Sequence, residues 1–118
     1  MKHIAVIFRS APHRNGKARE GLEFALLAAN LDQQVSLIFL DEGIFNLLAA
    51  QQPELIGNKD YIASFKAVDF YDIEPVLVAE EAMAKFSLTP ADLLYPATVS
   101  TAATIQQHLQ SVDEVLVF

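Results

Sequence analysis

Cysteine is absent from all 118 residues, and that absence removes disulfides, thiolate zinc sites and a cysteine nucleophile together. Basic residues are scarce: eight Lys and Arg against fifteen Asp and Glu leave a formal net charge of −7. Holding a nucleic acid requires Lys and Arg to neutralise phosphates, so no direct nucleic-acid contact is expected, although Arg9, Arg14, Lys17 and Arg19 stand close together. No apolar run approaches the ~18 residues of a membrane span. Met1-Lys2-His3 leads straight into Ile4–Phe8 and then polar Arg9 and Ser10, which is not the build of a signal peptide. The chain is therefore expected to be cytoplasmic, with no membrane partner.

Apolar residues, by contrast, are abundant at 53%. A chain of this length forms one domain that buries roughly two thirds of the surface its unfolded form exposes. So much apolar material in a small domain implies strands buried on both faces, a surface covered by another subunit, or both. Continuous apolar runs at His3–Phe8, Gln34–Leu40, Pro75–Ala79 and Glu114–Phe118, with a weaker one at Leu93–Val99, have the pattern of strands buried on both faces.

Helical spacing lies between these runs. Ala18, Leu22, Ala25, Leu26 and Ala29 form one stripe over Lys17–Asn30, with Asn15-Gly16 ahead of it as cap and turn. Gly43–Ala50 reads as a short helix, Lys59–Val68 as a helix with Tyr61, Ile62, Phe65 and Val68 on one side, and Glu80–Phe86 as a short helix of strong formers. Ser100–Gln110 opens on a Ser cap. Gln51–Asn58 is the longest expected loop. Alternating strand and helix predicts a single three-layer α/β/α domain over residues 1–118, flavodoxin-like in appearance, with a mainly parallel sheet of about five strands.

In such sheets ligands bind beyond the carboxyl ends of the strands. The loop after the first strand carries Arg9, Ser10, His13, Arg14 and Lys17 into a helix N-terminus, so it is a candidate anion or partner loop. It is not a P-loop: Ala11 stands where the first glycine belongs, and Ala18 follows the lysine. His3, His13 and His108 lack metal-ligand spacing, and His108 is expected on the exposed face of the last helix. Glu80 and Glu81 are neighbours that point apart on a helix and suit the positive end of its dipole. No catalytic constellation, metal site or cofactor is expected. The aromatic segment after the loop has two readings: its rings pack on the sheet, or Phe45, Leu48, Tyr61 and Phe65 form the covered centre of a subunit interface.

The segment Lys-Asp-Tyr-Ile-Ala-Ser-Phe-Lys-Ala-Val-Asp-Phe-Tyr-Asp-Ile-Glu (59–74) is more particular than core packing requires. Together with Ile4–His13, Asp41-Glu42-Gly43-Ile44-Phe45 and Glu114–Phe118, it resembles the TusC (DsrF-like) branch of the DsrE/DsrF/DsrH-like family over the full length. The resemblance implies a single DsrE/F-like domain. It also implies a non-catalytic subunit of a hetero-oligomer, a heterohexamer with TusB-like and TusD-like chains. Such a complex passes persulfide sulfur toward 2-thiolation of tRNA wobble uridine and meets other sulfur-carrier proteins indirectly. In the DsrE-like sister subunit the sulfur-accepting cysteine lies near the end of the third strand, where a helix N-terminus favours a thiolate. The matching residues here are Leu77, Val78 and Ala79, followed by Glu80, and none can form a persulfide. The rival reading is a small flavodoxin-like module holding an anionic ligand over the Arg9–Lys17 loop.

Overall fold

The computed structural model describes residues 2–11, 17–47, 67–68, 70–93 and 96–118. The elements are β1 (His3–Phe8), α1 (Lys17–Asn30), β2 (Gln34–Phe39), a 3₁₀ helix (Asp41–Leu47), β3 (Val76–Ala79), α2 (Glu80–Lys85), β4 (Thr98–Ser100), α3 (Ala102–Ser111) and β5 (Glu114–Val117). A second 3₁₀ turn spans Pro90–Asp92, and Ala67, Val68 and Phe70 are helical.

The five strands form one sheet in the order β4-β3-β2-β1-β5, with every pairing parallel. This order differs from the flavodoxin order, so the likeness to flavodoxin is one of layers. Its physical consequence is simple. The connections β1→β2→β3→β4 all step in one direction, and right-handed crossovers place their helices on one face; β4→β5 steps back across the sheet and puts α3 on the other.

The core divides accordingly. On the first face Ile4, Val6 and Phe8, with Val35, Leu37 and Phe39 and with Val76 and Val78, pack against Ala18, Leu22, Ala25 and Ala28 of α1 and Ala82 and Met83 of α2. Phe8 stacks on Phe39, ring centroids 4.8 Å apart. On the second face Ala5, Ile7, Ile38 and Leu77 meet Ile105, with Leu109 and Val112 beside it. Burial on both sides explains the largely continuous apolar runs of β1 and β2, the latter broken by Ser36; all their residues but the first are buried.

Several boundaries depart from the sequence reading. The fourth strand is Thr98–Ser100 rather than Leu93–Val99; Pro96 lies inside the expected run and has no N–H for a ladder, and pairing begins only beyond it. The cap of α3 is Thr101, whose Oγ1 accepts from the Thr104 amide at 3.2 Å, while Ser100 is buried and donates to the Thr98 carbonyl. The short helix after β2 is a 3₁₀ helix that starts at Asp41, two residues before the expected Gly43. Gly43 lies so close to β1 that a Cβ there would run into the Phe8 carbonyl. β5 is an edge strand with exposed apolar side chains, not a strand buried on both faces. The Asn15-Gly16 cap, the Gln51–Asn58 loop and residues 59–66 of the aromatic helix lie outside the described residues.

Candidate functional site

The carboxyl ends of β1, β2 and β3 meet at one edge of the sheet. Arg9 follows β1, and its guanidinium donates to Asp41 Oδ2 through Nε at 3.0 Å and Nη2 at 2.8 Å. Asp41 opens the 3₁₀ helix with a left-handed backbone, φ 50°, a conformation that Asp tolerates better than most residues. Beneath this pair, Asn46 is fully buried. Its Nδ2 donates to the Ser10 carbonyl at 2.9 Å and the Gly43 carbonyl at 2.8 Å, tying the loop after β1 to the turn after β2. Removing those donors would leave carbonyls unsatisfied, at about 1–3 kcal/mol.

A groove of 310 Å³ opens beside this edge, between the ends of β2 and β3 and the first turns of α3. Its floor is apolar, from Leu40, Ala79, Ile105 and Leu109; Asp41, Glu80 and Glu81 stand at its margin. Glu80 and Glu81 occupy the first turn of α2, as the dipole reading expects, yet both also border the groove. They make no ion pair among the described residues.

The residues singled out from sequence fall as follows. Leu77 and Val78 are buried in β3, and half-buried Ala79 ends the strand and lines the groove. No thiol exists there. Arg9 and Ser10 lie after β1 as described, and Lys17 begins α1. Phe45 is half-buried, its ring 4.5 Å from that of Phe86, so part of its surface is already used within the chain. Leu48, Tyr61 and Phe65, like His13 and Arg14, lie outside the described residues. Among the described residues no cluster of His, Cys, Asp and Glu has the makings of a metal site.

One expectation is corrected. His108 is not on an exposed face: it is half-buried, with Nε2 hydrogen-bonded to the buried Ser36 hydroxyl at 2.8 Å. His3 packs edge-on against it, centroids 5.3 Å apart. Burial first, then the neighbouring His3, pushes the His108 pKa below its ordinary 6.5. The sequence signal was available: Ser36 interrupts the apolar run of β2, and a buried hydroxyl needs a partner.

Residues 2–118 match the DsrE/DsrF-like family. The chain belongs to the DsrE/DsrF-like family. Among curated DsrE/DsrF-like relatives, "Protein TusC homolog" of Vibrio parahaemolyticus is 36% identical over 118 residues, the whole of both chains. "Protein TusC homolog" of Aliivibrio fischeri is 33% identical over the same full length. Both support a sulfur-relay role in general terms. Among solved structures, the ychN protein from E. coli superimposes with a TM-score of 0.86 at 18% identity, covering 100% of both chains. A protein of unknown function from Methanobacterium thermoautotrophicum reaches 0.73 at 8% identity, covering 98% of this chain and 99% of its own. These two speak to the fold alone, and they agree with the single parallel sheet and its helices.

Proposed function

We propose that the chain is a non-catalytic structural subunit of a cytoplasmic sulfur-relay hetero-oligomer, which passes persulfide sulfur toward 2-thiolation of tRNA wobble uridine. Its partners on this reading are TusB-like and TusD-like subunits. The observation that carries it is the end of β3. A full-length relative of TusC homologues presents Ala79 and Glu80 at the mouth of a groove, and the whole chain holds no cysteine to receive sulfur. A subunit with this scaffold and no reactive atom contributes surface and shape.

The exposed surface supports a partnered state. Leu27 is 58% exposed, Leu31 62%, Phe70 79% and Val117 58%. Such side chains are common singly on monomers; several in one small domain suit coverage by other chains. Phe45, Leu48, Tyr61 and Phe65 remain the proposed anchors. The rival reading, an anion held by the Arg9–Lys17 loop, has to contend with Asp41, which already engages the Arg9 guanidinium.

Native mass spectrometry of the tagged chain isolated from its own host tests the subunit reading. Two co-isolated small chains, one bearing a persulfidated cysteine, are expected. A lone monomer or homo-oligomer carrying a few hundred daltons of ligand would replace this reading with the binding module.

A further inference from the structure

The groove beside β3 combines two properties that together select an occupant. Its floor, Leu40, Ala79, Ile105 and Leu109, is apolar, while the charged residues that line it among the described residues, Asp41, Glu80 and Glu81, are all acidic. Of the three carboxylates, Asp41 is engaged by Arg9, and Glu80 and Glu81 have no ionic partner among the described residues. The N-terminus of α3 also faces the groove through Ala102. The first turn of α2 borders it as well; each helix end carries only about half a positive charge, and the two full negative charges of Glu80 and Glu81 outweigh both, so the local field favours a cation. The volume of 310 Å³ lies at the small end of ligand sites, which run from about 300 to 1,000 Å³. It suits one long side chain better than a flavin or nucleotide.

We propose that this groove receives an arginine or lysine side chain presented by a segment of a partner protein, its aliphatic stem on the apolar floor and its cationic head at Glu80 and Glu81. Long basic side chains are built in these two parts: an apolar stem that gains from burial and a charged head that stays near water. The exposed position of both glutamates meets the second requirement, since the head keeps part of its hydration and the ion pair avoids the full desolvation cost of a buried one. An acidic or phosphorylated segment would instead meet like charge at the rim. The inference rests on the reading of the chain as a subunit that acts through partners, and it names the chemistry of one such contact.

Amide chemical shifts of the full-length ¹⁵N-labelled chain, titrated with a capped Leu-Arg-Leu peptide, test it directly. Comparison peptides carry citrulline, which keeps the shape without the charge, or Glu in place of Arg. The expected result is a saturating response confined to Ala79–Ala82 and Ala102–Leu109. It should be about five-fold weaker with citrulline, the factor expected for an exposed charge pair, and absent with Glu. The Glu80→Gln/Glu81→Gln double variant, which alters only exposed side chains, should lose the Arg preference while keeping the rest of its spectrum. Equal responses to Arg and citrulline, a stronger response to Glu, or an unchanged Arg preference in the double variant would each overturn the proposal. The titration needs no sister subunit. If it fails while native mass spectra show the two sister chains, the groove inference falls and the subunit reading stands; the opposite pair of results reverses that outcome.

Discussion

The first face of the sheet is covered by α1, the Asp41–Leu47 helix and α2, and its cluster takes in buried residues from three strands. The second face has α3, and its buried apolar cluster among the described residues holds five of them. Five strands span about 20 Å and a helix is about 10 Å across, so α3 cannot cover both flanks. Val115 and Val117, in register with Ala5 and Ile7 on that side, are 41% and 58% exposed. The same alternation of side chains thus yields a dense core on one side and a core with an open margin on the other. The Ser36–His108 hydrogen bond and the acidic groove both flank α3 on the thin side, while buried Asn46 sits on the Asp41–Leu47 helix of the first face. The first face carries the larger buried cluster, and the second keeps an open apolar margin at β5.

Four substitutions bear on that contrast. Phe8→Ala should cost the most, about 3–5 kcal/mol, because its ring is fully buried and stacked on Phe39; urea denaturation of the isolated chain reads it. Ile105→Ala, on the thin face, should lie near the low end for such a truncation, about 2 kcal/mol, since α3 can settle toward the sheet. If the two losses are equal in the same urea series, the faces contribute alike and the comparison fails.

His108 sets a pH dependence of stated sign. Its folded-state pKa lies below the ordinary 6.5, so above that pH it is neutral in both states and contributes no slope. Below it the unfolded chain binds the proton first, and stability falls with pH until the folded-state pKa is passed. His108→Gln keeps a partner for the Ser36 hydroxyl and does not titrate. Thermal melts between pH 8 and pH 5 should therefore fall less steeply for the variant than for the parent; parallel curves would remove His108 from the account. The smallest effect belongs to the margin. Val117→Ser should change the stability of the isolated chain by no more than about 0.5 kcal/mol, and a larger loss in the same denaturation assay would mean that the β5 flank is core.

The elements that periodicity located well were those with one dominant local demand. β1 and α1 match their expected spans, and β2 and β3 each differ by one residue. Largely continuous apolar runs and an i, i+4, i+7 stripe specify burial regardless of neighbours. β4 was harder to place, because a proline interrupts an apolar stretch that locally resembles a strand. His108 was misplaced because a helix pattern ranks its faces by hydropathy, and a histidine paired with a buried serine counts there as polar. The end of β3 was legible through resemblance; its acidic groove was not, since its walls come from segments far apart in the chain, at Leu40, Ala79 and Ile105.

By itself, then, the sequence determined the five strands, the helices α1, α2 and α3, the absence of a thiol and the net negative charge. Those follow from composition and from local periodicity alone. The tertiary structure decided the strand order, the unequal covering of the two faces, the exposure of β5, the pairing of Arg9 with Asp41 and the enclosure of His108. Each depends on which way a crossover turns and on which distant side chain it brings alongside. β1 and β5 show the reason most plainly: both are apolar runs beside one another, but β1 has a strand on each side and β5 has only one.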